Sequence, residues 1–154
     1  MARSKDTDGR KVVCRNSRAL HDFFIDERFE AGLVLRGTEV KALRDARASL
    51  QDAYATVEGG EVFLVNMNIP QWPGAAYFNH EPKRRRKLLL HAKQIHKLFV
   101  EIKQRGCSLI PLSVYFTEKN RAKVELGLAR GKRKYDKRHA IRERDERRQS
   151  ERES

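Results

Sequence analysis

Only two cysteines, Cys14 and Cys107, occur in 154 residues, and neither stands in a CxxC or Cys-His grouping. A zinc ribbon is excluded and a disulfide framework is implausible, so two reduced thiols in a cytosolic protein are expected. Long apolar runs are missing as well. Nothing approaches the roughly 18 residues of a membrane-crossing helix, and the opening Met-Ala-Arg-Ser-Lys-Asp has no signal-like apolar stretch. Neither a P-loop nor a GxGxxG pattern is present, so no nucleotide cofactor is expected. His91 and His96 are five apart, the wrong spacing for two ligands on one helix face, while His21, His80 and His139 scatter. No Ser, Asp and His set falls into a known catalytic arrangement. No metal-ligand set and no catalytic residue are expected.

Acidic charge is in the minority. Against 21 Asp plus Glu stand 34 Lys plus Arg, a formal charge of +13 spread along the whole chain. A polyanion is the default partner of such a chain, with nucleic acid ahead of an anionic membrane. The length suits one domain with a real core and is short for two.

Residues 1–15 are polar and rich in cations (Arg3, Lys5, Arg10, Lys11, Arg15), which predicts a flexible N-terminal arm. Asn16 or Ser17 can cap a short helix in which Leu20, Phe23 and Phe24 recur at i, i+3 and i+4. Residues 29–35 read as a strand with a possible bulge at Gly32, and Gly37-Thr38 opens a second short helix. Residues 54–57 and 61–67 flank Glu58-Gly59-Gly60, a hairpin signal because both glycines accept positive φ. A proline-rich loop with Trp72, Tyr77 and Phe78 leads into five consecutive cations, Lys83-Arg84-Arg85-Arg86-Lys87, and then Leu88-Leu89-Leu90. Ile95, Leu98, Phe99 and Ile102 form a helical stripe over 91–105, with Gly106 at the cap position. Residues 109–116 and 123–130 make a second hairpin, whose second arm alternates Val124, Leu126 and Leu128 with Lys123, Glu125 and Gly127. Antiparallel strands with about three short helices predict a mainly β, α+β fold. A small barrel is its economical form, because closure removes exposed edges.

Residues 131–154 carry ten Lys or Arg against six Asp or Glu, with only Tyr135, Ala140 and Ile141 apolar. Such a segment cannot offset its ordering entropy alone, so a tail disordered when free is expected. It is helix-capable, with Arg142/Glu146 and Glu143/Arg147 at i, i+4. The resulting division is an arm over 1–15, a barrel over 16–130 and a tail over 131–154.

Four collinear stretches resemble one family, the SsrA-binding or small B proteins. They are Asn16-Ser17-Arg18-Ala19, the run from Phe29-Glu30-Ala31-Gly32 to Ala42-Leu43-Arg44, Arg86-Lys87-Leu88-Leu89-Leu90-His91, and Gly127-Leu128-Ala129-Arg130-Gly131-Lys132-Arg133-Lys134-Tyr135-Asp136-Lys137-Arg138. The resemblance spans roughly residues 12–148 and implies an oligonucleotide-binding (OB-type) barrel with added helices. It further implies a non-enzymatic, cytoplasmic factor, monomeric when free. That factor would carry the tRNA-like domain of tmRNA to stalled ribosomes for trans-translation. By the same resemblance, Asn16, Glu30 and Leu90 sit where the family binds tmRNA, with Arg18 in the first of these motifs. The tail residues Gly131, Lys132, Arg133, Lys134, Tyr135, Asp136, Lys137 and Arg138 would enter the empty mRNA path near the decoding centre and fold there as a helix. The extreme C-terminus is wholly polar, unlike the apolar-containing ends common in the family.

A lone carboxylate such as Glu30 repels phosphate; it can accept from base edges or 2′-hydroxyls, or hold a basic neighbour in place. Leu90 alone reads as core. Lys83, Arg84, Arg85, Arg86 and Lys87 read as phosphate contacts, because adjacent cations are best tolerated beside an anion, or else as a solvated loop. Trp72 reads as packing on the barrel, and Tyr77 and Phe78 as possible base stackers. Two other functions remain open: a magnesium ribonuclease using Glu30, Glu39 or Asp45, and a ribosomal protein with a basic extension. The lack of closely spaced carboxylates such as DxD weighs against the first.

Overall fold

A computed structural model describes residues 9–75 and 79–131. The chain forms, in order, β1 (Lys11–Arg15), α1 (Ala19–Asp22), β2 (Phe23–Leu33), α2 (Gly37–Arg44), β3 (Tyr54–Glu58), β4 (Glu61–Val65), β5 (Arg86–Leu89), α3 (Ala92–Lys103), β6 (Ser108–Phe116) and β7 (Ala122–Gly131). All strand pairs are antiparallel, in the order β1-β6-β3-β4-β5-β2-β7 with a further β6–β7 pairing. That last pairing closes β6-β3-β4-β5-β2-β7 into a six-stranded barrel. The far edge of β6 is shared, β3 meeting it at Leu109 and β1 from Ser113 to Phe116. The expected barrel with short helices is therefore present.

Alternation decides which side chains fill it. Ala31, Leu33, Val62, Leu64, Leu88, Leu109, Val114, Val124, Leu126 and Leu128 point inward and are buried, and Leu43 of α2 and Leu98 of α3 join the same core. The Gly59-Gly60 turn holds both residues at positive φ, so Glu58 pairs with Glu61 and the hairpin register is fixed. Gly106 ends α3 at φ +70°, and the Cys107 amide closes back on the Glu101 carbonyl at 3.1 Å.

Four expectations need correction. Residues 11–15 are not part of a flexible arm: they form β1, hydrogen-bonded to β6, while residues 1–8 lie outside the described residues. Phe23 and Phe24 belong to β2 rather than to a helix, because long-range pairing of Phe23 with Gly131 and Phe24 with Arg130 overrides the local period. The irregularity of β2 falls between Ile25 and Glu27 rather than at Gly32, which pairs regularly with Lys123 and Leu89. Phe99, expected inward, is 45 % exposed, since Leu98 and the half-buried Ile95 and Ile102 already cover the core.

Candidate nucleic-acid interface

The five-cation run shows how the fold divides charge. Alternation along β5 turns Arg86 inward and Lys87 outward. Arg86 has no exposed surface; its Nε meets Glu39, Nη1 donates to the Met67 carbonyl at 2.7 Å and Nη2 to the Pro82 carbonyl at 3.0 Å. Arg84 donates to the other oxygen of Glu39 at 2.6 Å, and that oxygen also accepts from the Arg36 amide at 2.8 Å, capping α2. Burial alone would raise the Glu39 pKa, but Arg84, the Arg36 amide and Arg86 outweigh it and hold the carboxyl below its usual range. Beside this cluster the buried His80 donates from Nε2 to the Ile69 carbonyl at 2.7 Å and bonds the Thr38 hydroxyl at 2.8 Å. The clamp read from the sequence is thus corrected at Arg86. It is a structural cation, and Arg84 helps it staple the loop to α2.

Three members of the run are exposed, and Arg84 is partly so. Lys83 is exposed. Arg85 stacks on Phe63 with its Cζ 3.9 Å from the ring centroid and is paired with Glu58. Lys87, opposite Phe63 on β4, pairs with Glu61 at 2.9 Å. Leu90 follows β5 and is half-buried against the core, as its apolar character alone predicts.

A different wall of the barrel carries Glu30. Register across β6, β7, β2 and β5 aligns Tyr115, Lys123, Gly32 and Leu89 in one row, all on the face opposite to the core residues Val114, Val124, Ala31 and Leu88. Gly32 leaves the row without a side chain between Lys123 and Leu89, and Leu89 is 54 % exposed. Glu30 accepts a hydrogen bond from the Tyr115 hydroxyl and pairs with Arg10 at 3.4 Å, and Arg10 lies over the Tyr115 ring at 4.5 Å. Burial, followed by the Glu30 carboxylate, pushes the Tyr115 phenol far above its ordinary pKa, so it stays a donor. Glu125, opposite Glu30, is held by Arg28 at 2.8 Å.

Asn16 and Arg18 stand on a third surface, a groove of about 660 Å³ shared with Arg15, Gln51 and Tyr54. Asn16 is fixed there, donating from its side chain to the Pro111 carbonyl at 3.0 Å, while Arg18 is exposed. Gly131 ends β7 opposite Phe23; Lys132, Arg133, Lys134, Tyr135, Asp136, Lys137 and Arg138 lie outside the described residues, as do Tyr77 and Phe78. Trp72 is half-buried, its backbone bracketed by the Asn79 side chain at 3.0 and 2.6 Å. Tyr115 from β6 and Arg10 from just ahead of β1 meet at Glu30, a grouping that no local pattern of the sequence announces. Among the described residues no three His, Cys, Asp or Glu side chains converge as metal ligands, and no helix is long and apolar enough to cross a membrane.

A closed antiparallel barrel whose outer walls carry arginines oriented over aromatic rings belongs to the class of OB-like RNA-binding barrels. The family model for SmpB protein matches residues 13–154. The chain is 52 % identical over 141 residues to the SsrA-binding protein of Geobacter sulfurreducens, covering 92 % of each. It is 54 % identical over 134 residues to that of Halothermothrix orenii, covering 87 % of this chain and 86 % of the relative. A chain in a solved structure described as "tmRNA-SmpB: a journey to the center of the bacterial ribosome" superposes with TM-score 0.65 at 45 % identity, covering 77 % of this chain and 83 % of that one. The chain belongs to the SmpB, or SsrA-binding protein, family.

Proposed function

We propose that this chain binds the tRNA-like domain of tmRNA and brings it to stalled ribosomes for trans-translation, acting by binding and performing no bond chemistry itself. The observation that carries the reading is family membership over nearly the whole chain, including the tail, at more than half identity to SsrA-binding proteins. The barrel supports it physically. Its walls present Arg10, Lys123, Lys83, Arg85 and Lys87, the charge-bearing groups a phosphate backbone requires. Glu30, Asn16, Arg18 and Leu90 are proposed to contribute to the tmRNA-binding surfaces, and residues 131–138 to the ribosomal contact. A cytoplasmic setting follows from those partners. No observation favours the nuclease alternative.

The test is a gel-shift titration against tmRNA with an equal-length unrelated structured RNA as competitor. Selective binding that survives about 200 mM salt, where nonspecific phosphate contacts weaken steeply, is expected. Equal binding of both RNAs, lost at that salt, would leave a general basic barrel and return the ribosomal-protein reading.

A further inference from the structure

A carboxylate on an RNA-facing wall needs an explanation, because a lone Glu30 would repel phosphate. Its partners supply one. The Tyr115 hydroxyl donates to Oε2 of Glu30, and Nη2 of Arg10 lies 3.4 Å from the same oxygen. The guanidinium of Arg10 rests on the Tyr115 ring at 4.5 Å, so the ring sets its plane and the carboxylate its edge. The chain ahead of β1 is set just as closely. Gly9 has φ +81°, a conformation that favours glycine, and its backbone lies against the Glu118 side chain of the β6–β7 turn. Arg10 keeps 35 % of its side-chain surface open and lies over Tyr115, whose row also holds Lys123 and Gly32.

We infer that Arg10 is a phosphate-contacting residue of this wall, and that Glu30 and Tyr115 are positioning residues that act on RNA through it. This rests on the RNA-binding reading above and deepens it. An arginine free to rotate gives up rotamer entropy when it grips a phosphate; one already held by a ring and a carboxylate has given up most of it beforehand. The carboxylate, engaged by a phenol proton and a guanidinium, no longer presents bare charge to the backbone. The competing view, that the pair only fastens β1 to the barrel, predicts loss of stability without loss of salt dependence.

Fluorescence anisotropy with labelled tRNA-like domain of tmRNA, repeated over a salt series, separates the two. Arg10→Ala is expected to weaken binding about tenfold or more and to lower the slope of log K against log salt by about 0.7 to 0.9. Arg10→Lys, which keeps charge but loses the planar stack, should fall between. Glu30→Gln and Tyr115→Phe should each weaken binding in the natural background. Added to Arg10→Ala they should change nothing further. An Arg10→Ala protein with unchanged affinity and slope overturns the phosphate assignment. A Glu30→Gln loss that persists in full on the Arg10→Ala background overturns the positioning role, since Glu30 would then touch RNA itself. Urea midpoints of the same variants report any unfolding separately. Failure of the natural protein to select this RNA would instead sink the functional reading.

Discussion

Glu39→Gln is the substitution that most directly tests how the barrel holds its basic loop. The natural carboxylate has no exposed surface and takes Arg86 on one oxygen, with Arg84 at 2.6 Å and the Arg36 amide at 2.8 Å on the other. Glutamine keeps one acceptor but turns an NH2 group toward an arginine, and it leaves Arg86 fully buried without a counterion. Arg84 Nε is already buried and without a hydrogen-bond partner, so the site has little slack. Removing one member of a buried ion pair costs about 3–5 kcal/mol, a large share of the roughly 5–15 kcal/mol that holds a domain together. Urea unfolding followed by circular dichroism should show the midpoint falling with an unchanged slope, and heating should show a drop on the order of 10–25 °C. A loss below about 1 kcal/mol would refute the argument, since a surface pair would do no worse.

The same substitution fixes the sign of a pH effect. The Glu39 carboxyl is held below its usual value in the folded state, against about 4.3 unfolded. Its stabilisation is therefore complete above the unfolded pKa and is lost as pH falls through the folded one. The stability gap between the natural protein and Glu39→Gln should be flat from about pH 6 to 8 and close progressively below about pH 4. A gap that widened on acidification would contradict the assigned direction.

Ending the chain after Gly131 should leave the barrel cooperatively folded and its affinity for tmRNA nearly intact while abolishing tagging of stalled products; loss of tmRNA affinity would show that body and tail do not act separately. Gly127→Ala would set a Cβ 3.1 Å from Cδ1 of Leu112 and 3.2 Å from Ile25, so calorimetry should show about 1–3 kcal/mol of overpacking, and an unchanged melting temperature would refute it. Burial pushes the Cys14 thiol up to about 11, leaving little thiolate at pH 8, so maleimide labelling of the folded protein should be slow and accelerate in urea. Fast labelling of Cys14 without denaturant would contradict that burial.

What the sequence makes legible is whatever depends on near neighbours. Gly59-Gly60 between two apolar arms marks β3 and β4, and the stripe through Ile95, Leu98 and Ile102 marks α3, because hairpin turns and helix faces are local. Strand β1 is not legible, since Lys11–Arg15 becomes a strand only by lying along β6. Nor is the start of β2, where Leu20, Phe23 and Phe24 mimic a helical period that β7 then overrides. The site behaves the same way. Five adjacent cations read as one clamp, but alternation sends Arg86 inward to a carboxylate 47 positions earlier in the chain, a partner no local pattern announces. Glu30, Tyr115 and Arg10 are likewise joined across 85 positions or by a strand edge. The one local hint is Gly32, a side-chain gap inside β2.

These pairings change what the net charge means. Arg28, Arg85, Lys87, Lys97 and Arg130 each stand beside a carboxylate, respectively Glu125, Glu58, Glu61, Glu27 and Asp26. Exposed pairs of this kind contribute little stability, typically about 0–1 kcal/mol, so stability alone does not account for so many. Their other effect is geometric: a paired arginine keeps its rotamer and meets a phosphate in one orientation. A phosphate that takes over such a cation must displace its tethered carboxylate, which offsets part of the affinity, while counterions released from the RNA still set the salt slope. The barrel should therefore bind RNA with less affinity than its count of surface cations suggests. Charge on this barrel should specify where the backbone lies more than how strongly it is held. Residues 131–154 add ten cations against six acids, an excess of four that a polyanion would compensate.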